Sequence, residues 1–131
     1  MENTEQYQKD LEAVKKNGFM LKHIENQTEE ICLEAVKKYG LAMQFVKNQT
    51  DKICLEAVKR DGWALQFVRN QTHEICFEAV RQDGYSLQFV KNKTEEICFE
   101  AVRKSVLALR YVPEEIKNRW IEIIENNIKG K

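Results

Sequence analysis

Apolar and polar positions alternate along this chain in blocks of fixed length. From Thr28, an apolar block of Ile31, Cys32, Leu33, Ala35 and Val36 is followed by Lys37, Lys38 and Gly40. A second block, Leu41, Ala42, Met43, Phe45 and Val46, gives way to Lys47, Asn48 and Gln49, and then Thr50 restarts the pattern. The first block is apolar over a wide face, which predicts a helix pressed by neighbours on two sides. The second predicts a shorter helix, with Leu41, Phe45 and Asn48 on one face and Ala42 and Val46 on the next. No period-2 alternation persists, and Ala, Glu, Lys and Gln set the spacing, so strands are not expected.

The restart is periodic, and a period of this size signals a repeat architecture. Thr28, Thr50, Thr72 and Thr94 are 22 residues apart, as are Ile31, Ile53, Ile75 and Ile97 and the four cysteines, Cys32, Cys54, Cys76 and Cys98. Glu12 to Glu100 and Ala13 to Ala101 add a fifth copy in the same step. Gly18, Gly40, Gly62 and Gly84 mark the middle of each unit, and Val106 takes that place in the last. The expected fold is all-α: a short α-solenoid of about five 22-residue helix-turn-helix repeats, near 6–27, 28–49, 50–71, 72–93 and 94–112, with a C-terminal capping helix over 113–128. One domain spans 1–131.

Within a unit, Thr28 is a suitable N-cap, and Glu29 and Glu30 face the positive helix end. Lys37 and Lys38 suit the negative end, and Gly40 is expected to stop the helix as a left-handed C-cap. Helices this short are unstable alone, so stability must come from nearest-neighbour stacking. After Val112, Pro113 takes a permitted first helical position. The stripe Ile116, Trp120, Ile123, Ile124 and Ile128 is expected to seal the open end of the stack, with a dimerisation surface as the other reading.

Charge narrows the partners little. Lys and Arg number 21 against 21 Asp and Glu, so no global field favours nucleic acid or membrane. No run of about 18 apolar residues exists, and the N-terminus lacks a signal-peptide core. A cytoplasmic location and no membrane partner are expected. Equivalent cysteines on stacked helices sit about 8–10 Å or more apart, too far for a disulfide, and no ligand spacing suits zinc. They read as a buried apolar ladder, with no metal and no cofactor implied.

The pattern Thr-x-Glu-Ile-Cys-(Leu/Phe)-Glu-Ala-Val-(Lys/Arg)-x-x-Gly-x-x-Leu-Gln-Phe-Val-x-Asn resembles a short helical repeat known as a domain of unknown function (number 4116). The resemblance covers about residues 5–112. Such repeats are abundant in giant DNA viruses and occur in amoebae, bacteria and phages. The resemblance implies an α-helical array and no activity.

Candidate chemistry is sparse. His23 and His73 have no nucleophile or ligand partner in the pattern, and no catalytic residues are assigned. His23 falls where later copies carry Phe45, Phe67 and Phe89 and is expected to be partly buried. Glu34, Glu56, Glu78 and Glu100 each precede Lys37, Lys59, Arg81 or Arg103 by three positions, the spacing of helical ion pairs. The Asn26, Asn48, Asn70, Asn92 series and the Gln44, Gln66, Gln88 series read as amides satisfying helix ends. Lys37, Lys59 and Arg81 form one basic ladder with Arg60 beside it, and Lys47, Arg69 and Lys91 form another. These ladders raise phosphate-backbone binding or an acidic protein surface as targets. The aromatic departures from the repeat, Tyr39, Trp63 and Tyr85, lie beside the inter-helix turns, and aromatic and Arg side chains dominate protein interfaces. The expected function is a non-catalytic protein-binding scaffold at Tyr39, Trp63, Tyr85, Lys37, Lys59, Arg60, Arg69 and Arg81. Its narrower form is a virus- or phage-encoded inhibitor that occludes a host defence protein; the alternative is a nucleic-acid binder.

Overall fold

The computed structural model describes residues 4–130, leaving only Met1–Asn3 and Lys131 outside. Six α-helices alternate with five 3-10 helices: α1 (Thr4–Lys16), η1 (Gly18–His23), α2 (Glu29–Lys38), η2 (Gly40–Phe45), α3 (Asp51–Arg60), η3 (Gly62–Phe67), α4 (His73–Gln82), η4 (Gly84–Phe89), α5 (Glu95–Lys104), η5 (Val106–Tyr111) and α6 (Glu114–Lys129). Each α/η pair stacks on the next, giving the short all-α solenoid.

Local chemistry sets the boundaries. The Thr28, Thr50, Thr72 and Thr94 hydroxyls accept from the N–H groups of Ile31, Ile53, Ile75 and Ile97 at 3.2–3.3 Å, each an N-cap. Behind them Ile53, Cys54, Ala57 and Val58 are buried, as are their counterparts in α2 and α4. All four cysteines are free and buried.

Two local expectations are corrected. The second element of each unit is a 3-10 helix, closed by bonds such as Ala64 N–H to Asp61 O (2.9 Å) and Val68 N–H to Leu65 O (3.0 Å). A 3-10 turn aligns residues three apart. Gly62, Leu65 and Val68 therefore share a buried face, while Phe67 is half-buried and Asn70 is exposed. The 3.6-residue face placed through Leu41, Phe45 and Asn48 is not the core-facing one.

The repeated glycines are also not left-handed caps, because no residue among those described has positive φ. The helix ends on an extended residue instead, with Asp61 at φ −154°. Glycine is required by close approach. A Cβ on Gly40 or Gly62 would lie 2.6 or 2.5 Å from the carbonyl oxygen of Ala57 or Ala79 in the next unit. The Gly and Ala series are thus two halves of one contact.

The units are also laced by amides. Gln49 Nε2 donates to Phe67 O (2.8 Å) and its Oε1 accepts from Arg69 N–H (3.0 Å). Gln27 and Gln71 make the same bridge to Phe45 O and Lys47 N–H, and to Phe89 O and Lys91 N–H. The next site would meet the nitrogen of Pro113, which carries no hydrogen. There the chain has Lys93, which donates to Val90 O (2.7 Å). Gln44, Gln66 and Gln88 satisfy local carbonyls as expected. The side chains of the Asn series stand exposed, and so does His23 against expectation. Being in the first unit, His23 does not carry the half-buried Phe of later copies.

The C-terminal helix closes the stack only in part. Ile116 is buried, Trp120 Nε1 donates to Glu95 (3.0 Å), and Arg119 pairs with Glu95 at 3.1 Å. The remaining stripe is open, with Ile123, Ile124 and Ile128 exposed by 52, 57 and 67%.

Candidate protein-binding edge

The junction between each α-helix and its 3-10 helix forms one edge of the solenoid. At this edge an Asn or Asp before the glycine caps the 3-10 helix, whereas Tyr39 before Gly40 makes no such bond. Asp61 Oδ1 accepts from Trp63 N–H and Asp83 Oδ1 from Tyr85 N–H, both at 3.0 Å. Asn17 does the same for Phe19 (3.0 Å). A short acceptor at that position thus fixes the backbone of the aromatic residue two places on.

The three predicted aromatics line this edge, but each is paired with a ring other than the other two. Tyr39 stacks on Phe19 with centroids 5.1 Å apart, Trp63 meets Phe89 edge-on at 5.2 Å, and Tyr85 meets Tyr111 at 6.5 Å. Trp63 is further held by its Nε1–H donating to Asp83 Oδ2 of the next unit (2.9 Å). Tyr39 and Trp63 remain 42 and 39% exposed, while Tyr85 is half-buried. Phe19, Tyr39, Leu41, Arg60 and Asp61 surround an open hollow of about 210 Å³. Arg60 is exposed there, its Nε donating to Lys38 O (3.3 Å).

The basic residues do not all gather here. Lys37, Lys59 and Arg81 lie in the last turns of their helices, next to the edge. Arg81 pairs with Glu78 at 3.2 Å, and Arg103 grips Glu100 with two nitrogens, holding that carboxyl below its usual range. Arg69 belongs to the opposite edge, a helix length of roughly 15 Å away. There it shares a hollow with Thr72, His73, Lys91 and Thr94. Its Nη2 donates to Lys47 O (2.9 Å), and Lys91 Nζ donates to Arg69 O (3.1 Å). This second ladder ties successive units together.

Asp61, Asp83 and Phe19 were missed as members of the edge. The aspartates had a signal, since Asp two residues before an exposed aromatic is a capping pattern. The chemistry on offer is recognition: ring faces, carboxylates and a guanidinium. Burial pushes the Cys32, Cys54 and Cys76 thiols up to about 11, so they stay protonated near neutrality. His73 pairs with Glu96 at 2.8 Å on the exposed opposite edge. Among the described residues, no cluster of three His, Cys, Asp or Glu side chains is placed to hold a metal ion, and no helix is long and apolar enough to cross a membrane.

A family model for this repeat matches residues 11–51, 28–72, 50–94 and 72–117, each match overlapping the next. The chain belongs to the family described as Domain of unknown function (DUF4116). Each match is about two 22-residue units long, so the family model spans a stacked pair, the smallest piece containing a complete Gly–Ala contact. No curated protein and no solved structure matches the chain.

Proposed function

We propose that this DUF4116 chain is a non-catalytic protein-binding scaffold that presents its α/3-10 edge to another protein. One observation carries the reading: Tyr39 and Trp63 are about 40% exposed while their rings are fixed by Phe19, Phe89 and Asp83. Rings already held in place lose little freedom on binding, so their apolar area converts efficiently into affinity. Arg60, with Lys37 and Lys59 in the last turns of α2 and α3, adds guanidinium and ammonium donors for an acidic partner surface.

The narrower form of the proposal is an inhibitor, encoded by a virus or phage, that lays this edge across a host defence protein. Phosphate-backbone binding has less support. Arg69 and Lys91 already donate to main-chain carbonyls, and Arg81 and Arg103 are matched by Glu78 and Glu100.

The test is a pull-down from cells that make the protein, or from their infected hosts. The wild-type chain should retain a partner that the Tyr39→Ala/Trp63→Ala/Tyr85→Ala variant loses, with unfolding curves showing that the variant still folds. An identical partner list for both would overturn the assigned edge. Co-purification with a defence complex would support the inhibitor form, and a salt-steep gel shift would favour nucleic acid instead.

A further inference from the structure

The row of side chains along the α/3-10 edge has one gap. Where the first unit meets the second, Phe19 stacks on Tyr39. Where the third meets the fourth, Trp63 donates its Nε1–H to Asp83 Oδ2 at 2.9 Å. Between these two filled junctions, the same register brings Leu41 to Asp61. Leu41 has no donor to offer. Asp61 Oδ1 accepts from Trp63 N–H (3.0 Å), and no hydrogen bond among the described residues reaches its Oδ2.

The same junction lacks a second bond. Gly62 N–H donates to Gln82 Oε1 at 2.6 Å. One unit earlier the place of Gln82 is taken by Arg60, and a guanidinium has donors only. Gly40 N–H therefore has no counterpart of that bond. The chain thus fills one junction for itself, with an indole and a carboxamide, and leaves the preceding one open. What remains there is the hollow of about 210 Å³ lined by Phe19, Tyr39, Gly40, Leu41, Arg60 and Asp61. It is smaller than the pockets that enclose drug-sized ligands and suits one side chain.

We propose that this hollow receives one tryptophan side chain of the protein partner, its indole lying against Leu41 and donating to Asp61 Oδ2. The inference rests on the α/3-10 edge being the binding face. Three observations select this occupant. The chain holds an indole in the equivalent place one unit on, where Trp63 meets Phe89 edge-on and bonds Asp83. Phe67 and Asp61 stand in the same register beside Leu41. Charge narrows the choice further. Arg60 and Asp61 carry opposite charges at the hollow, so an ion of either sign meets a like charge there. A neutral ring with one N–H satisfies the carboxylate and offers a face to the guanidinium. A second copy of this chain cannot supply the ring, because both of its indoles, Trp63 and Trp120, already donate to Asp83 and Glu95. The indole comes from a different protein.

The test titrates N-acetyltryptophanamide, a neutral indole, into the full chain and follows the backbone amides by NMR. The Gly40, Leu41 and Asp61 signals should shift saturably at millimolar probe. N-acetylphenylalaninamide, which lacks the ring N–H, should bind about fivefold more weakly, the worth of one hydrogen bond, and N-acetylargininamide no better than that. Leu41→Trp copies the Trp63–Asp83 junction and should abolish the shifts. Asp61→Asn keeps the cap on Trp63 N–H, as Asn17 does for Phe19. It should weaken the tryptophan probe about fivefold and leave the phenylalanine probe unchanged. Unfolding curves check that both variants fold. No shift at tens of millimolar probe would overturn the proposal, as would equal binding of all three probes or binding that survives Leu41→Trp. In the pull-down, Leu41→Trp should lose the partner. A partner lost by the triple-alanine variant but kept by Leu41→Trp overturns the hollow and leaves the edge standing. A partner kept by both overturns the edge and this proposal with it.

Discussion

Replacing Gly62 probes the stack at its tightest point. A Cβ there would sit 2.5 Å from both Ala79 O and Ser86 Oγ, and 3.0 Å from Gln82 Oε1. Gln82 can swing aside, but Ala79 O belongs to the backbone of α4 and accepts from Asp83 N–H (3.0 Å). Relief therefore requires the third and fourth units to part by roughly 0.7 Å. A gap of that order forfeits a quarter to a half of the dispersion attraction across the interface. Overpacking of this kind costs about 3 kcal/mol, the upper part of the usual range. At about 2.1 cal/mol/K per residue, this lowers Tm by about 10 °C. Urea and thermal unfolding followed at 222 nm measure it. The companion variant is Gly62→Asn. A glycine kept for left-handed φ tolerates Asn better than Ala, whereas a glycine kept for space finds Asn at least as costly. The steric account fails if Gly62→Ala is neutral or if Asn is the milder change. Val106→Ala provides the internal control and should shift Tm little, since Val106 is 65% exposed.

The remaining predictions concern single side chains. Gln49→Ala removes the two bonds this side chain makes to the next unit, and should cost about 2 kcal/mol in urea unfolding. Gln49→Glu keeps the acceptor for Arg69 N–H but faces Phe67 O with a carboxylate. Its carboxyl pKa should rise, so the variant is most stable at low pH, where the protonated group still donates, and loses that stability as pH rises. A variant equally stable at pH 4 and 7 would count against the bridge. Ser86 carries a buried hydroxyl with no partner, where other units have Ala42, Ala64 and Ala108. Ser86→Ala should therefore raise stability by about 1 kcal/mol, and a loss would show that the hydroxyl is satisfied. The native cysteines should resist iodoacetamide at pH 7.5 until the chain unfolds. Burial raises the Cys32, Cys54 and Cys76 thiols to about 11 and pushes the Cys98 thiol up as well, so stability is whole below about pH 9 and declines toward pH 11 as thiolates form first in the unfolded chain. Rapid labelling of the folded protein would contradict this.

The period, the Thr caps and the buried Ile–Cys–Ala–Val ladder were legible in the sequence because each is a local or strictly periodic signal. The role of the glycines was not. A Gly after a Lys-rich last turn looks the same whether the backbone needs positive φ or the next unit needs the space, and only the Ala79 carbonyl distinguishes the two. The 3-10 geometry was hidden for a related reason, since six residues are too few to separate a period of 3 from one of 3.6. Gln27, Gln49 and Gln71 repeat as plainly as the Thr residues beside them. Their bond partners, however, lie 18 and 20 residues away, and no local pattern reports that. At the edge, the exposure of Tyr39 and Trp63 followed from their place beside the turns. The removal of Arg69 to the far edge followed from the length of α4, which the spacing already contained.

Under the proposed function, repeated positions build the stack and departures from the repeat meet the partner. Hydrogen–deuterium exchange of the captured complex tests this most directly. Protection should rise over residues 38–41, 60–63 and 82–85 and stay unchanged over the opposite edge at 47–50, 69–72 and 91–94. Protection confined to that opposite edge would contradict it.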